Sequence, residues 1–228
     1  MLTLHIANKN YSSWSLRPWV LMRQLGIDFQ EELHPFDASR PGYFQAFSPT
    51  AKVPCLTDGD LIVWDSLAIA EYLAESHAGV WPAERQARAW ARCAAAEMHA
   101  GFQTVRSNCP MNCALRVRLD PVSDTLKSEW RRLDTLWNDG LERFGGPFLA
   151  GRSFTAVDGF FAPVAFRVQS YQPQLSPGAA AYVQRLLNLP AMRAWYEAAL
   201  TEPWRDEPHE AEIRGLGDIL HDYRRPQS

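Results

Sequence analysis

The feature that most constrains the fold of this chain is a change in its apolar pattern near residue 77. Before that point, strand-like and helix-like segments alternate along the chain. Residues 2–6 alternate apolar and polar side chains, which predicts a strand. Residues 14–25 carry apolar side chains at helical spacing and are followed by Gly26, a helix-ending residue. The start of the chain therefore favours a mixed α/β unit.

The following segments complete a thioredoxin-like order of elements. The sequence predicts a strand over 29–36, short apolar strands over 53–56 and 61–64, and a helix over 66–76. Asp58-Gly59 between the two short strands is a strong hairpin signal. We therefore predict a thioredoxin-like α/β domain over residues 1–77.

The remainder of the chain predicts a second, all-α domain over residues 84–228. A linker with Gly and Pro at 78–82 precedes it, and strand signals disappear after Glu84. Stretches rich in Ala, Arg, Glu and Leu predict helices over roughly 84–107, 121–144, 155–170, 177–186 and 189–200. The polar tail after Glu202 is expected to pack back on the body.

The composition excludes several classes of protein. With 46% hydrophobic and 21% charged residues, the chain can bury a core and is not a disordered protein. Its 23 basic and 26 acidic residues give a net charge of −3, which argues against a nucleic-acid or membrane-surface binder. The sequence contains neither a signal-peptide pattern nor an apolar run of 18 residues. We therefore expect a cytoplasmic protein.

The cysteines and histidines predict neither a disulfide framework nor a metal site. Four cysteines in 228 residues are too sparse for a disulfide scaffold, and no CxxC occurs. Cys109 and Cys113 lack two further partners at zinc-like spacing, and the six histidines show no metal spacing either. Cys55 enters a predicted strand, where we expect it to be a core residue.

Val53-Pro54 lies at the start of a predicted strand, where proline is tolerated. An X-Pro bond is the common route to a cis peptide. A cis bond here would turn the N–H and C=O of Val53 outward, where they can pair with an extended peptide ligand. An ordinary trans proline at a strand start is the alternative.

Asp65-Ser66 directly precedes an apolar helix. Ser66 suits the N-cap or first turn, and the free N–H groups there can bind a carboxylate. Asp65 beside them could hold an ammonium group. Together the two residues would bind both charges of an α-amino acid end, and plain helix capping is the alternative.

Residues 12–17, Ser-Ser-Trp-Ser-Leu-Arg, fall between the first strand and the first helix. Hydroxyl groups at a helix N-terminus can donate to a thiolate, and the helix dipole adds to that stabilisation. Lowering a thiol pKa from about 8.5 toward about 7 produces the nucleophile. No His/Asp partner at a recognisable spacing supports a hydrolase triad. A serine-rich helix cap is the alternative.

These motifs together resemble a cytosolic glutathione transferase over about residues 1–200. The resemblance rests on the serine-rich turn, on Lys-Val-Pro, on Asp-Ser-Leu-Ala-Ile-Ala-Glu-Tyr-Leu, and on Thr-x-x-Asp in the helical half. Residues 12–17 are most similar to the zeta-type pattern Ser-Ser-Cys-Ser-x-Arg, whose catalytic serine lies five residues before the arginine. Counting back from Arg17 gives Ser12, and Ser13 is the near rival.

The resemblance implies a role for each matching residue. The backbone of Val53, oriented by the bond to Pro54, would pair with the cysteinyl part of glutathione. Asp65 and Ser66 would hold the γ-glutamyl end, and Lys52 would meet the glycyl carboxylate. The family also implies a homodimer and no metal or redox cofactor, with glutathione as co-substrate.

The second substrate would be a hydrophobic electrophile bound by the α domain. His99, Phe102 and Arg106 follow i, i+3, i+7 spacing and would share one helical face. In the family the equivalent helix lines the site, so the resemblance implies that this face contacts the electrophile. Core packing with a solvated arginine is the alternative.

Two departures from the family pattern bear on activity. Trp14 replaces the cysteine of the zeta-type motif, which weakens the case for maleylacetoacetate isomerase activity. Gly159 follows Asp158 of Thr155-x-x-Asp158, a capping-box pattern, where the family often has an apolar residue. We expect that helix start to be less rigid.

Three functions remain open at this stage. The leading one is conjugation of glutathione to an electrophile, with Ser12 stabilising the thiolate. A glutathione-dependent isomerase or dehalogenase, in which glutathione is not consumed, is the second. A non-catalytic binding module on the same fold is the third, and the presence of Ser12, Val53-Pro54, Asp65 and Ser66 argues against it.

Overall fold

A computed structural model describes residues 1–37, 39–40 and 42–224, so the last four residues of the predicted second domain lie outside the described part. The strands are β1 (Leu2–Ile6), β2 (Gln30–Leu33), β3 (Cys55–Asp58), β4 (Leu61–Trp64), β5 (Leu115–Leu119) and β6 (Gly217–Asp222). The helices are α1 (Ser13–Leu25), α2 (Ser66–Ser76), α3 (Arg85–Ala100), α4 (Gln103–Asn108), α5 (Asp124–Phe144), α6 (Ala156–Tyr171), α7 (Pro177–Leu187), α8 (Pro190–Thr201) and α9 (Glu207–Arg214).

The first part of the chain forms the predicted thioredoxin-like unit. Its sheet has the order β2-β1-β3-β4, with β1 parallel to β2 and antiparallel to β3. Helix α1 supplies the crossover between the parallel strands and ends at Gly26, whose φ of 66° suits a residue without a Cβ. Gly59, with a φ of 57°, lies in the predicted β3–β4 turn. The fold class predicted for this part is therefore confirmed.

Helix α6 occupies the centre of the helical region. Residues on all its faces are buried, because α1, α3 and α7 surround it. Its sequence is accordingly apolar all round, as expected for a central helix. Among the residues that the structure describes, no helix has the length and apolarity needed to cross a membrane.

The prediction that the second part is entirely α-helical is wrong in one respect. Strands β5 and β6 pair in antiparallel fashion, with Leu115 opposite Asp222 and Leu119 opposite Gly217. The residues of β5 alternate apolar and charged, which is a strand pattern. Its partner lies about 100 residues further along the chain, so local sequence shows no hairpin.

The predicted capping box at the start of α6 is confirmed, and it connects several elements. The backbone N–H of Thr155 donates to Asp158 Oδ2 at 3.0 Å. The other carboxylate oxygen, Oδ1, accepts from the Leu149 N–H at 3.1 Å and from the Tyr182 hydroxyl at 3.0 Å. Asp158 is fully buried, so its carboxylate links α6 to α7 and to the preceding loop.

Gly159 allows helices α1 and α6 to pack closely. A Cβ at this position would lie 3.2 Å from the backbone oxygen of Arg17 and 3.8 Å from Val20 Cγ1. The backbone oxygen belongs to the interior of α1 and cannot rotate aside as a side chain can. We expected the glycine to make the helix start less rigid. Instead, it permits a close contact between α6 and α1.

We expect Gly159→Ala to lower the free energy of unfolding by about 1–2 kcal/mol because of overpacking. Helix propensity alone would favour alanine by about 1 kcal/mol. Urea denaturation of the two proteins measures the difference. A variant that is more stable than the parent would show that α1 can move away from α6 at little cost.

Candidate active site

A cleft of about 390 Å³ lies between the start of α1 and the helical region. Five of the residues singled out from the sequence contribute to its lining: Ser12, Ser13, Lys52, Val53 and Arg106. The peptide bond between Val53 and Pro54 is cis. The serine-rich turn and the Lys-Val-Pro segment, which are 40 residues apart, thus meet at one cavity.

Ser12 is the N-cap residue of α1, but its hydroxyl caps no backbone N–H. Its Oγ lies 2.7 Å from the Oγ of Ser15, which in turn accepts a hydrogen bond from the Ala7 N–H at 3.2 Å. When Ser15 donates its proton to Ser12, the Ser12 proton remains available. Ser12 can therefore donate one hydrogen bond into the cleft.

Ser13 is engaged by a residue that the sequence analysis missed. Arg167 of α6 directs its Nη2 toward Ser13 Oγ at 3.4 Å and donates from Nε to the Cys109 carbonyl at 2.8 Å. Burial lowers the pKa of Arg167 to about 10, so the side chain remains cationic at neutral pH. A lone arginine within an apolar helix was the available sequence signal for a buried charge.

Trp14 lines the cleft and contacts two guanidinium groups. The Cζ of Arg17 lies 4.1 Å from the centre of a Trp14 ring, and that of Arg106 lies 4.7 Å from it. These are cation–π contacts. Burial holds the pKa of Arg17 well below its usual range. Arg17 also donates to Ser66 Oγ at 3.4 Å and to His99 Nδ1 at 3.5 Å.

Asp65 and Ser66 lie near Arg17 and do not line the cleft itself. Asp65 caps α2 by accepting the Leu67 N–H at 2.8 Å, and its φ of 75° is unusual for a residue other than glycine. Its second oxygen lies 3.4 Å from His99 Nε2. Because His99 Nδ1 accepts from Arg17, Nε2 carries the proton and points it at Asp65.

Comparison with known families decides the classification. The glutathione S-transferase N-terminal domain family matches residues 11–76, and the glutathione S-transferase C-terminal domain family matches residues 120–198. Together they cover more than half of the chain. The chain belongs to the glutathione S-transferase family.

Two relatives of this glutathione S-transferase family member differ in the length of sequence over which they resemble it. Glutathione S-transferase PM239X14 of Arabidopsis thaliana is 24% identical over 88% of this chain and 93% of its own length. Dichloromethane dehalogenase of Methylophilus leisingeri is 37% identical, but over 25% of this chain. The chain thus matches only 22% of the length of that relative.

A solved structure shows the same fold with a ligand. The glutathione transferase homologue from Burkholderia, crystallised with bound glutathione, superposes with a TM-score of 0.67 and 22% identity. The match covers 87% of this chain and 97% of that one. The match shows that the two chains share a fold.

The prediction that His99, Phe102 and Arg106 share one continuous helical face is wrong. Helix α3 ends at Ala100, and Phe102 has a φ of 56°, so the helix does not continue through it. Phe102 is buried away from the cleft lining. Arg106 instead reaches the cleft from α4 and donates to the carbonyl oxygen of His99 at 2.8 Å.

The tail of the chain contributes to the cleft lining. It packs back on the body, as we expected from the sequence. The ring of His209 stacks on Tyr11 and on Phe36, each at 5.1 Å between centroids. The Tyr11 hydroxyl donates to Glu210 at 2.5 Å, and Glu210 forms a buried ion pair with Arg224. Burial and the Glu210 carboxylate raise the pKa of Tyr11 to about 12, so its hydroxyl stays protonated.

Proposed function

We propose that this protein is a glutathione transferase that binds glutathione along the cleft and activates its thiol through Ser12. The observation that carries the proposal is that the hydroxyl-bearing Ser12, at the N-terminus of α1, lines the same cleft as Val53. Where Ser15 donates the hydrogen bond between the two hydroxyls, Ser12 keeps its proton for a ligand. A hydroxyl donor and the positive end of a helix dipole both favour a thiolate over a thiol. The thiolate then attacks the electrophile.

The charges around the cleft support a ligand with the net negative charge of glutathione. Lys52, Arg106 and Arg167 contribute three cations to its lining, against the single carboxylate of Glu212. In our proposal Lys52 meets the glycyl carboxylate and the Val53 backbone pairs with the cysteinyl part. These contacts place the thiol near the start of α1.

Asp65 and Ser66 are proposed to hold the γ-glutamyl end. The positive φ of Asp65 is a backbone conformation that costs on the order of 1–3 kcal/mol and occurs preferentially at ligand sites. The half-exposed Asp65 carboxylate is available to an ammonium group. Ser66 is the first residue of α2, where the positive end of the helix favours a carboxylate.

The electrophile in this proposal is largely apolar. Apart from the cations, the cleft is lined by aromatic and aliphatic side chains, among them Trp14, Phe36, Phe44 and Met111. Such surfaces gain free energy by burying apolar groups of a substrate. Because the tail also contributes to the lining, the cleft draws on both parts of the chain.

Glutathione-dependent dehalogenation is the second candidate, favoured by the local similarity to dichloromethane dehalogenases. The two reactions differ in the fate of glutathione. Conjugation consumes the free thiol, whereas dehalogenation of dichloromethane through a glutathione adduct returns it after hydrolysis. The residues proposed to activate the thiol are the same in both cases.

An assay of thiol consumption distinguishes the candidates. We expect the protein to consume one free thiol for each molecule of chlorodinitrobenzene converted, with the adduct identified by mass spectrometry. Halide release from dichloromethane with the thiol retained would instead favour dehalogenation. Absence of product from either compound, with glutathione bound, would contradict both proposals.

A further inference from the structure

A cluster of His5, Glu32 and His34 lies on two adjacent strands, outside the cleft lining. Strands β1 and β2 run parallel, with His5 paired in register with Glu32, and His34 directly follows β2. His5 Nδ1 lies 3.0 Å from His34 Nε2 and 3.3 Å from Glu32 Oε2. The distance from His34 Nε2 to Glu32 Oε2 is 3.7 Å. Three potential ligand atoms therefore lie within 3.7 Å of one another.

These separations fit a tetrahedral ion. Zinc binds imidazole nitrogen and carboxylate oxygen at about 2.0–2.1 Å, so two ligands of a tetrahedral zinc lie about 3.3–3.4 Å apart. The three observed separations scatter around that value. Two histidines and one carboxylate, with a fourth position open, are also a ligand set that zinc adopts in proteins.

The surroundings hold both imidazole rings in place. His34 Nδ1 lies 2.9 Å from the Tyr43 hydroxyl, so it can donate its proton there while Nε2 keeps a free lone pair. The ring of Phe47 stacks on His34 at 4.1 Å and on His5 at 4.7 Å. The side chain of Glu32 is 42% exposed, which leaves a route for an ion from solvent.

We propose that His5, Glu32 and His34 bind one zinc ion, which links β1 to the edge strand β2. The site is independent of the glutathione proposal, since none of its three residues lines the cleft. It lies where the sequence analysis expected no metal site. The ligands come from positions 27 and 29 residues apart, a spacing that only the parallel pairing of β1 and β2 brings together.

Calorimetric titration of the full chain with zinc chloride, after treatment with a chelator and dialysis, tests the proposal. We expect one zinc ion per chain and a higher thermal unfolding temperature with zinc, since an ion that binds the folded state stabilises it. His34→Gln and Glu32→Gln should each abolish stoichiometric binding. Tyr43→Phe should weaken it by about 10-fold by removing the outer partner of His34.

His221→Gln, which changes an exposed histidine, is the matched control and should bind zinc as the parent does. Cobalt substitution provides an independent readout, because tetrahedral cobalt gives strong visible absorption bands that the His34→Gln protein should lack. If circular dichroism shows that a ligand variant is unfolded, the zinc affinity of Tyr43→Phe still tests the proposed site. Unchanged zinc affinity in that variant and in Glu32→Gln, or no uptake by the parent, would overturn the proposal.

Discussion

Replacing Ser12 by alanine is expected to lower kcat/KM for glutathione conjugation by about 100-fold, the usual loss when one preorganised donor to a developing or bound anion is removed. Ser12 lines the cleft, and it keeps its proton for the thiol when Ser15 donates the hydrogen bond between the two hydroxyls. Glutathione affinity should change little, since in our proposal other residues hold the γ-glutamyl and glycyl ends. Steady-state kinetics with calorimetric titration of glutathione measure both effects.

Ser13→Ala is the matched control for this experiment. Its Oγ lies 3.4 Å from Arg167 Nη2, so its loss should disturb the cleft without removing the hydroxyl that we propose as the donor to the thiolate. We therefore expect a smaller loss in kcat/KM than for Ser12→Ala. The reverse order of the two variants would transfer the role to Ser13, which the sequence alone left open.

Asp158→Ala is expected to lower the free energy of unfolding by on the order of 3–5 kcal/mol. The buried carboxylate accepts hydrogen bonds from Thr155, Leu149 and Tyr182. Each buried donor left without a partner costs about 1–3 kcal/mol. For a chain of this size the loss corresponds to a fall of about 10 °C in the thermal midpoint.

Chemical denaturation and circular dichroism test this prediction. Asp158→Asn should lose less stability than Asp158→Ala, because its remaining oxygen still accepts one or two of the three hydrogen bonds. Asp124→Ala, at the exposed start of α5, is the surface control and should change stability by less than about 0.5 kcal/mol. Equal losses for Asp158→Ala and the surface control would refute the structural role of this carboxylate.

The sequence predicted those elements whose signals are local. Helix α1 begins and ends within a residue of its predicted bounds, because apolar spacing and Gly26 define it. The β3–β4 hairpin follows from Asp58-Gly59. The predicted helix over 84–107 was too long, since apolar periodicity continues through Gly101 while the backbone does not.

Other features depend on contacts between distant segments and left little local signal. The β5–β6 pair joins segments about 100 residues apart, and Arg167 reaches Ser13 only through the packing of α6 on α1. The same holds for His209, which meets Tyr11 because the tail returns to the cleft. Contiguous motifs were therefore predictable, whereas most of the helical half of the cleft, apart from Arg106, was not.

In our proposal the cleft binds glutathione and lowers the pKa of its thiol. Titration of thiolate absorbance against pH, with glutathione bound to the parent protein and to Ser12→Ala, tests it most directly. We predict that the bound thiol in the parent has a pKa near about 7, below the value near 8.5 of an ordinary thiol, and that Ser12→Ala restores the higher value. Failure of the parent to bind millimolar glutathione, or an unshifted thiol pKa in its complex, would contradict the account.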